Sequence, residues 1–496
     1  MPRIVWIPLL LLLFGALGGC ATGPTSPLQA LPARDCLQFY SDLDEAVAIA
    51  GVRDASAAAI PGYPFLRSNR FLASFRDELE DTAHYRQWIA ALARLDLELR
   101  RLELDNLPAD RHAVPTARDG EGAGRWLEQC SGQLAREVQQ DRRHLAVLQN
   151  VVEVPDNYLT WRRVVGLYPL ASLLAHRSVI ELHKRLQQPF LLPPGELPLR
   201  GRLVRYRPFS GGQPTSLSSR LQEVEPSLLG ITPPDQPLLD RLFQRFAPII
   251  EIDTLNEADH IGHMGWDKDG STVVDTDQPV VYRYPSYTRF RERTLLQLNY
   301  LFWFPARDTG DIYSGHLDAV IWRVTLDTHA RPLAYDSIHG CGCYYQLLPA
   351  LGYQLRPLST GEEPVLVPMT APAWQSTQRL ILRLAAGTHY LQAVYSDMTR
   401  ATAGIPYQLL DYRDLLSLSL PGGGRRSLFG PDGLVAGSER AERYLLWSFG
   451  VLSPGAMRQP GTHAIAFIGR RHFDDHRLLE SLLRAERGSE GLPVSD

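Results

Sequence analysis

The segment Gly-His-Leu-Asp at 315–318 has the residue types best suited to chemistry in this chain. It leads into an apolar, β-branched stretch that predicts a strand. Because side chains alternate along a strand, His316 and Asp318 are expected on one face with Val320. At the mouth of a β domain, such a pair could act in acid–base catalysis or bind a divalent cation. The alternative is a hydrogen-bonded pair of partly buried groups.

A second polar cluster, Asp-Ser-Ile-His-Gly-Cys-Gly-Cys, follows at 336–343. Cys341 and Cys343, with His339 just upstream, are ligand types that soft metals prefer. Zinc motifs usually place two or more residues between their cysteines, which weakens this interpretation. The two glycines make the backbone pliable, so in an oxidising compartment the sequence favours a tight disulfide between Cys341 and Cys343.

The third candidate is the histidine pair His260 and His263. This spacing could hold a metal ion on a helix or in a tight turn, but Gly262 between them argues against a helix. The Asp-Lys-Asp-Gly-Ser segment at 267–271 resembles half a calcium loop without the third carboxylate and the closing glutamate. Asp-Gly is a common hairpin turn, which is the preferred interpretation.

A faint family resemblance rests on the first two clusters. The order Gly-His-x-Asp, apolar strand and Ser-x-His-Gly is similar to the core of necrosis-inducing-protein-like (NLP) secreted proteins and of vacuolar-sorting-like β proteins. Gly315, His316 and Asp318 match the first motif, and the Ser-x-His-Gly at 337–340 matches the second. The second His, the Trp and the Glu of the full first motif are missing. The resemblance implies a β-sandwich and a cation site, and it does not imply cytolytic activity.

The N-terminus predicts a secreted and lipidated protein. A basic start is followed by an apolar stretch that ends at residue 17. This stretch is too short for a membrane span, which needs about 20 apolar residues, and it fits a signal peptide. Leu-Gly-Gly-Cys20 resembles the lipobox of bacterial lipoproteins, which implies cleavage before Cys20 and acylation of its thiol. Residues 1–19 would be the signal peptide and 20–35 the lipidated tether. An ordinary secretion signal with an incidental cysteine is the alternative.

This resemblance also implies a location. Ala21 in place of Asp favours the outer membrane, with the protein held there by its lipid and facing the periplasm. As a whole, the chain resembles uncharacterised lipoproteins of gamma-proteobacteria, a likeness that supplies no activity. In the oxidising periplasm, Cys36 and Cys130, which both fall in apparent helices, are predicted to form a disulfide.

Composition indicates a globular protein. The chain has 496 residues, 44% hydrophobic and 21% charged, with a net charge of −4. This length fits roughly two or three domains, and the charge gives no indication of a nucleic-acid partner. Partners are expected to be the membrane, through the lipid, and an envelope protein or polymer.

The elements that must position these residues fall into two parts. Residues 36–190 predict a helical domain, with a stripe of Trp88, Leu92 and Leu99 on one helix face and another helix beginning at Tyr168. A proline-rich linker is expected at 191–245, a β-rich domain at 246–476, and a helix end and tail at 477–496. The predicted strands are 248–253, 280–284, 298–304, 319–326, 379–384, 444–451 and 463–468. The predicted fold class is therefore α+β and multidomain, an irregular helical bundle followed by an antiparallel β-sandwich or jelly-roll-like domain.

These features predict a non-enzymatic, membrane-anchored envelope protein that binds a ligand or partner, with a divalent-cation site in the β domain. The alternative is a metal-assisted periplasmic hydrolase acting on an envelope polymer. That enzyme would use His316, Asp318 and His339 together with His260 or His263, and these groups would have to converge in one cleft. A structural role in envelope assembly is a third hypothesis.

Overall fold

The computed structural model describes residues 34–108, 122–209, 217–358, 361–375, 378–396 and 403–486. The predicted signal peptide and the lipidated Cys20 lie outside these residues. Within the described ranges, no helix is both long and apolar enough to cross a membrane.

Helices dominate the N-terminal part, as predicted. A short hairpin, β1 with β2, interrupts them between α1 and α2. Helix α3 begins at Asp81, whose Oδ1 accepts hydrogen bonds from Ala83 N and His84 N, and it ends at Asn106 as expected. The helices and hairpin strands are α1 Arg34–Ala50, β1 Ala58–Ile60, β2 Tyr63–Ser68, α2 Arg70–Ala73, α3 Thr82–Asp105, α4 Ala123–Gln140, α5 Arg143–Val151, α6 Thr160–Val165 and α7 Tyr168–Gln187.

The predicted disulfide between Cys36 and Cys130 is confirmed. It joins α1 to α4, and both cysteines lie inside the core of the helical part. The predicted stripe on α3 faces the same core, where Trp88 and Leu92 are fully buried. Periodicity and a covalent cross-link therefore act on one set of packed helices.

Most strands of the remaining chain join one curled, mixed sheet of ten strands in the order β11-β10-β9-β8-β7-β15-β3-β4-β13-β14. The strands are β3 Arg202–Pro208, β4 Ile249–Thr254, β5 His263–Trp266, β6 Thr272–Asp275, β7 Val280–Phe290, β8 Arg293–Arg307, β9 Gly315–Leu326, β10 Pro332–His339, β11 Gln346–Pro349, β12 Tyr353–Leu355, β13 Leu380–Leu384, β14 Leu391–Ser396, β15 Ile405–Asp411, β16 Leu418–Ser419, β17 Arg425–Arg426 and β18 Leu483–Ala485. The remaining helices are α8 Leu217–Gln222, α9 Gln236–Phe246, α10 Glu442–Leu445 and α11 Leu478–Leu482.

This sheet supports the mixed α+β class but differs from the antiparallel sandwich that was expected. Strands β7 to β11 pair antiparallel, whereas β15 pairs parallel with both β3 and β7, and β13 pairs parallel with β4. The direction of these pairs is set by chain segments far apart in sequence. Local alternation of side chains carries no information about such partners.

The segment 191–245 is not a linker. It contributes β3 to the middle of the sheet and α9 to one of its faces, where Leu242 and Phe243 are buried. The flanking prolines concealed the alternating pattern of Arg-Leu-Val-Arg-Tyr-Arg at 202–207, which is the pattern of a strand with one buried face.

Both faces of the sheet are covered. On β9, Val320 and Trp322 belong to one apolar core, which α9 completes. Ala319 and Ile321 belong to the opposite core, which the C-terminal segment completes with residues such as Met457. The central strands are therefore buried on both sides, and polar groups placed among them lose their contact with water.

Two predicted strands are not formed. Residues 444–451 contain the end of α10 and a short 3₁₀ helix, and Gly450, with a φ of 84°, ends that helix. Residues 463–468 make only the isolated bridge between Ala464 and His472. Tyr158 anchors this irregular segment, since its buried hydroxyl lies 2.8 Å from the carbonyl oxygens of both Ala466 and Arg471. The predicted C-terminal helix is shortened to α11, and β18 follows it and pairs with β12.

Candidate functional site

A chain of four buried ionisable groups crosses the interior of the β-rich part. One oxygen of Asp318 lies 3.4 Å from His339 Nδ1, and the other lies 2.9 Å from His389 Nδ1. The second nitrogen of His389, Nε2, lies 3.3 Å from Asp259 Oδ1. None of the four side chains is more than 4% exposed. The order is therefore carboxylate, imidazole, carboxylate, imidazole.

Two arginines complete the surroundings of Asp318. Arg440 Nη2 lies 3.1 Å from Asp318 Oδ1, and Arg307 Nη1 lies 3.7 Å from Oδ2. Burial alone would raise the pKa of Asp318, but the charges of His339 and Arg440 and the histidine hydrogen bonds hold it well below its ordinary value. Asp318 is therefore a buried anion compensated from several sides.

The two histidines of this cluster differ in their protonation. Burial works to lower the pKa of His389, but its hydrogen bonds to Asp259 and Asp318 outweigh burial and raise it. The pKa of His339 is lowered, mainly by burial, against the opposing effect of Asp318. The two carboxylates thus favour proton binding by His389, whereas burial disfavours it at His339.

Four separate elements position this cluster. Asp318 and His339 lie on the paired strands β9 and β10, where His339 is opposite Val320. His389 lies in the turn between β13 and β14, and its ring stacks on Phe304 with the centroids 3.8 Å apart. Asp259 ends a short 3₁₀ helix after β4. The cluster exists only when distant parts of the chain are folded together.

Sequence reasoning brought Asp318 and His339 together as candidates but did not select His389 or Asp259 as partners. A polar Gly-Thr-His turn between two apolar strands, at 387–389, was the available signal for His389. Asp259 directly precedes the candidate His260 in the sequence, but it was not itself predicted to be a site residue.

His316 does not join the cluster. Its Nε2 lies 2.9 Å from the carbonyl oxygen of Thr272 and 3.0 Å from that residue's hydroxyl. The expected alternation is interrupted at Leu317, whose φ is 60°. His339 is opposite Val320, and His316 lies four residues before Val320 on β9, so it is not beside His339.

His260 and His263 are also placed elsewhere. His260 Nδ1 is 2.7 Å from the hydroxyl of Tyr206. His263 pairs with Asp275 in the hairpin of β5 and β6, whose turn contains Gly270 at a φ of 83°. The hairpin interpretation of the Asp-Gly segment is confirmed. No group of three or more His, Cys, Asp or Glu side chains in the described part of the chain is arranged to hold a metal ion.

The predicted disulfide between Cys341 and Cys343 is not formed, and both residues are free thiols. They lie in the turn after β10 and line a cavity of about 730 Å³. This is within the usual size range of small-molecule sites. The sequence pattern identifies these cysteines as a candidate site but does not predict the cavity.

Helix α7 forms one wall of the cavity. The lining positions follow a helical repeat along a single face, and most of them are apolar: Ala171, Leu174, Ala175, Val179, Leu182 and Leu186. His183 on the same face has its pKa lowered to about 4 by burial and is therefore uncharged. This wall is suited to a hydrocarbon group.

Another part of the lining is polar and aromatic, and Arg307 joins it to the buried cluster. The Arg307 guanidinium lies 4.8 Å from the ring centre of Tyr390 and 5.3 Å from that of Tyr344. It also donates a hydrogen bond of 2.5 Å to the carbonyl oxygen of Thr388. Asp318 behind it supplies the counter-charge. The cluster therefore fixes a cation and two aromatic rings in the cavity wall.

Two buried carboxyl groups, Glu363 and Glu442, also line the cavity. Burial raises the pKa of both, that of Glu363 to about 7. The Oε2 atom of Glu363 accepts hydrogen bonds from Phe467 N and Ile468 N, at 2.7 and 3.0 Å. Near neutral pH, the Glu363 carboxyl group is close to half-protonated.

Comparison with known proteins adds no relative. No protein-family model, no curated protein and no solved structure matches the chain. The site must therefore be interpreted from its own geometry.

Proposed function

We propose that this protein is a ligand-binding lipoprotein of the cell envelope whose cavity holds a small amphiphile. The observation that carries the proposal is the mixed lining of the cavity, which combines the apolar face of α7 with the polar and aromatic groups around Arg307. An apolar chain would lie along α7, and a polar head group would reach Arg307, Tyr344 and Tyr390. Such a division of apolar and polar contacts is the usual basis of binding and orientation in small-molecule sites.

The polar wall is organised before any ligand arrives. Arg307 is 2% exposed and is held by Asp318, Thr388 and the two tyrosine rings. A side chain that is already immobilised loses little conformational entropy when it binds a ligand. The burial of several charges behind Arg307 is explained by this role.

The proposed location rests on the sequence. The lipobox-like segment ending at Cys20 supports attachment to the outer membrane, with the mature protein facing the periplasm. The membrane, through this lipid, and an envelope protein or polymer are the proposed partners. The confirmed Cys36–Cys130 disulfide fits an oxidising compartment.

The metal-assisted hydrolase receives less support. Its five candidate residues do not converge, since only Asp318 and His339 are in contact. The cation that it requires has no set of ligands among the residues that the structure describes. Ligand binding accounts for the cavity better than hydrolysis of an envelope polymer does.

A substitution in the α7 wall tests the proposal. Ala175→Trp places an indole in the cavity, whereas Leu173→Trp adds the same group to a side chain that is 71% exposed and does not line it. We expect Ala175→Trp to weaken binding of a fluorescent long-chain fatty acid by about tenfold or more, since overfilled sites accommodate added volume poorly. Leu173→Trp should bind like the unmodified protein. Equal affinity of all three proteins, or no binding by any of them, would overturn the proposal.

A further inference from the structure

The turn Cys341-Gly342-Cys343 brings two thiols to the cavity wall. Gly342 has a φ of 89°, and a Cβ atom there would lie 2.7 Å from the carbonyl oxygen of Ala464. Hydrogen bonds from Gly342 N to His339 O and from His339 N to Cys343 O hold the turn closed. Only glycine fits this conformation, so the fold fixes the two cysteines beside each other.

The two thiols are not equivalent. The interaction of each thiol with the other, the largest influence on both, lowers the pKa of Cys341 and raises that of Cys343 well above its ordinary value. Burial raises both, and the charge of Arg440 favours the thiolate of Cys341. Thiolate is the reactive form of cysteine, so Cys341 is the nucleophile and Cys343 the proton-bearing partner.

Arg440 is poised to stabilise that thiolate. Its Nη2 atom is bound to Asp318 and to the carbonyl oxygen of Leu317. Its Nε and Nη1 atoms are buried and have no hydrogen-bond partner within the part of the chain that the structure describes. Buried donors without a partner are costly, and the charge of Arg440 favours the thiolate of Cys341.

We propose that Cys341 and Cys343 form a redox-active dithiol that reduces a low-molecular-weight disulfide entering the cavity. The proposal stands on the closed turn, the position of both thiols on the cavity wall and the unpartnered nitrogens of Arg440. It does not depend on the amphiphile proposed above, because disulfide exchange and amphiphile binding are measured separately.

The reaction balances within the dithiol and its substrate. The Cys341 thiolate attacks one sulfur of the substrate R–S–S–R′, which forms a Cys341–S–S–R mixed disulfide and releases R′S⁻. The Cys343 thiol then loses its proton to the released thiolate and attacks Cys341 Sγ. This step forms the Cys341–Cys343 disulfide and expels RS⁻, which takes up a proton from solvent. The substrate gains two electrons and the protein loses two.

Single-turnover exchange of the whole mature protein with oxidised glutathione tests the proposal. The unmodified protein should lose two hydrogens by intact mass, and non-reducing peptide mapping should place the new disulfide between Cys341 and Cys343. Cys343→Ser should accumulate the mixed disulfide at Cys341. The reaction of Cys341→Ser should be at least about tenfold slower, since its remaining thiol is poorly ionised. The Cys36–Cys130 disulfide should stay intact in every sample, which shows that the new disulfide does not arise by exchange with it, and circular dichroism checks that each variant is folded.

Three results would overturn the proposal. These are the absence of a Cys341–Cys343 disulfide in the folded protein, its formation only in denaturant, and equal reaction of the two single variants. If Cys341→Ser fails to fold, the order of labelling of the two thiols by limiting iodoacetamide in the unmodified protein decides the same question. Cys341 should be labelled first, and preferential labelling of Cys343 would contradict its assignment as the nucleophile.

Discussion

Glu363 gives the sharpest test of the electrostatics of the cavity. Its carboxyl group is buried, and its pKa is raised from 4.5 to about 7, mainly by burial and against the opposing charge of Arg471. Glu363→Gln removes the ionisation and keeps an oxygen that can accept the hydrogen bonds from Phe467 N and Ile468 N. We expect this substitution to stabilise the protein increasingly as the pH rises.

The magnitude follows from the difference between the folded and the ordinary pKa. A difference of one in pKa corresponds to about 1.4 kcal/mol, so ionising the buried Glu363 costs about 3 kcal/mol once the pH is above 7. Because the folded pKa is raised, this cost is nearly absent below pH 4.5, grows as the pH rises from 4.5 to 7, and levels off above 7. The stabilising effect of Glu363→Gln should therefore be about 3 kcal/mol near pH 8 and about 1 kcal/mol near pH 5.

Urea unfolding followed by circular dichroism between these pH values measures the effect. Glu362→Gln is the matched control, because Glu362 is the adjacent residue and is exposed. The control should leave the free energy of unfolding nearly unchanged at every pH. A Glu363→Gln effect that does not change with pH, or that is largest in acid, would refute the assignment of a raised pKa to this group.

Two other substitutions test the cluster and the helical core. Asp318→Asn removes the anion that faces two histidines and two arginines, and it should lower the free energy of unfolding by about 3–5 kcal/mol. Since the pKa of Asp318 is well below 3.8, its carboxylate is ionised at both pH 5 and pH 8 and the loss should be present at both, whereas the exposed Asp277→Asn should show none. Replacing Cys36 and Cys130 together by alanine should cost about 2–5 kcal/mol in thermal or urea unfolding, and no change would contradict a structural role for this disulfide.

The sequence was most informative where local patterns decide the structure. Helix α7 begins at the predicted Tyr168, α3 carries the predicted apolar stripe, and the cysteines of the helical disulfide were identified from their placement on predicted helices. Asp318 and His339 were identified as candidates because an acidic residue and a histidine fall in polar clusters next to predicted strands. The helices and strands that hold these residues depend on neighbours within a few turns of chain, although the pairs themselves join distant parts of the sequence.

The rest depends on contacts that local patterns do not encode. His389 contacts Asp318, which is 71 residues away in sequence, and no periodic pattern predicts this contact. The prediction that His316 shares a face with Asp318 is wrong because a positive φ at Leu317 breaks the regular alternation of side chains along the strand. The apolar face of α7 has the same pattern whether it covers a packed core or a cavity. The cavity therefore became visible only in the folded chain.

Asp318 and Arg440 connect the two proposed roles of the site. Taking several charges out of water costs several kcal/mol for each ion, so stability alone does not explain a cluster of this size. Asp318 holds Arg307 towards the cavity on one side and Arg440 towards the thiols on the other. Loss of Asp318 should therefore weaken amphiphile binding and slow disulfide exchange in the same variant, whereas Ala175→Trp should impair only the binding of the amphiphile. A variant of Asp318 that folds and retains both properties would show that the cluster serves stability and not the cavity.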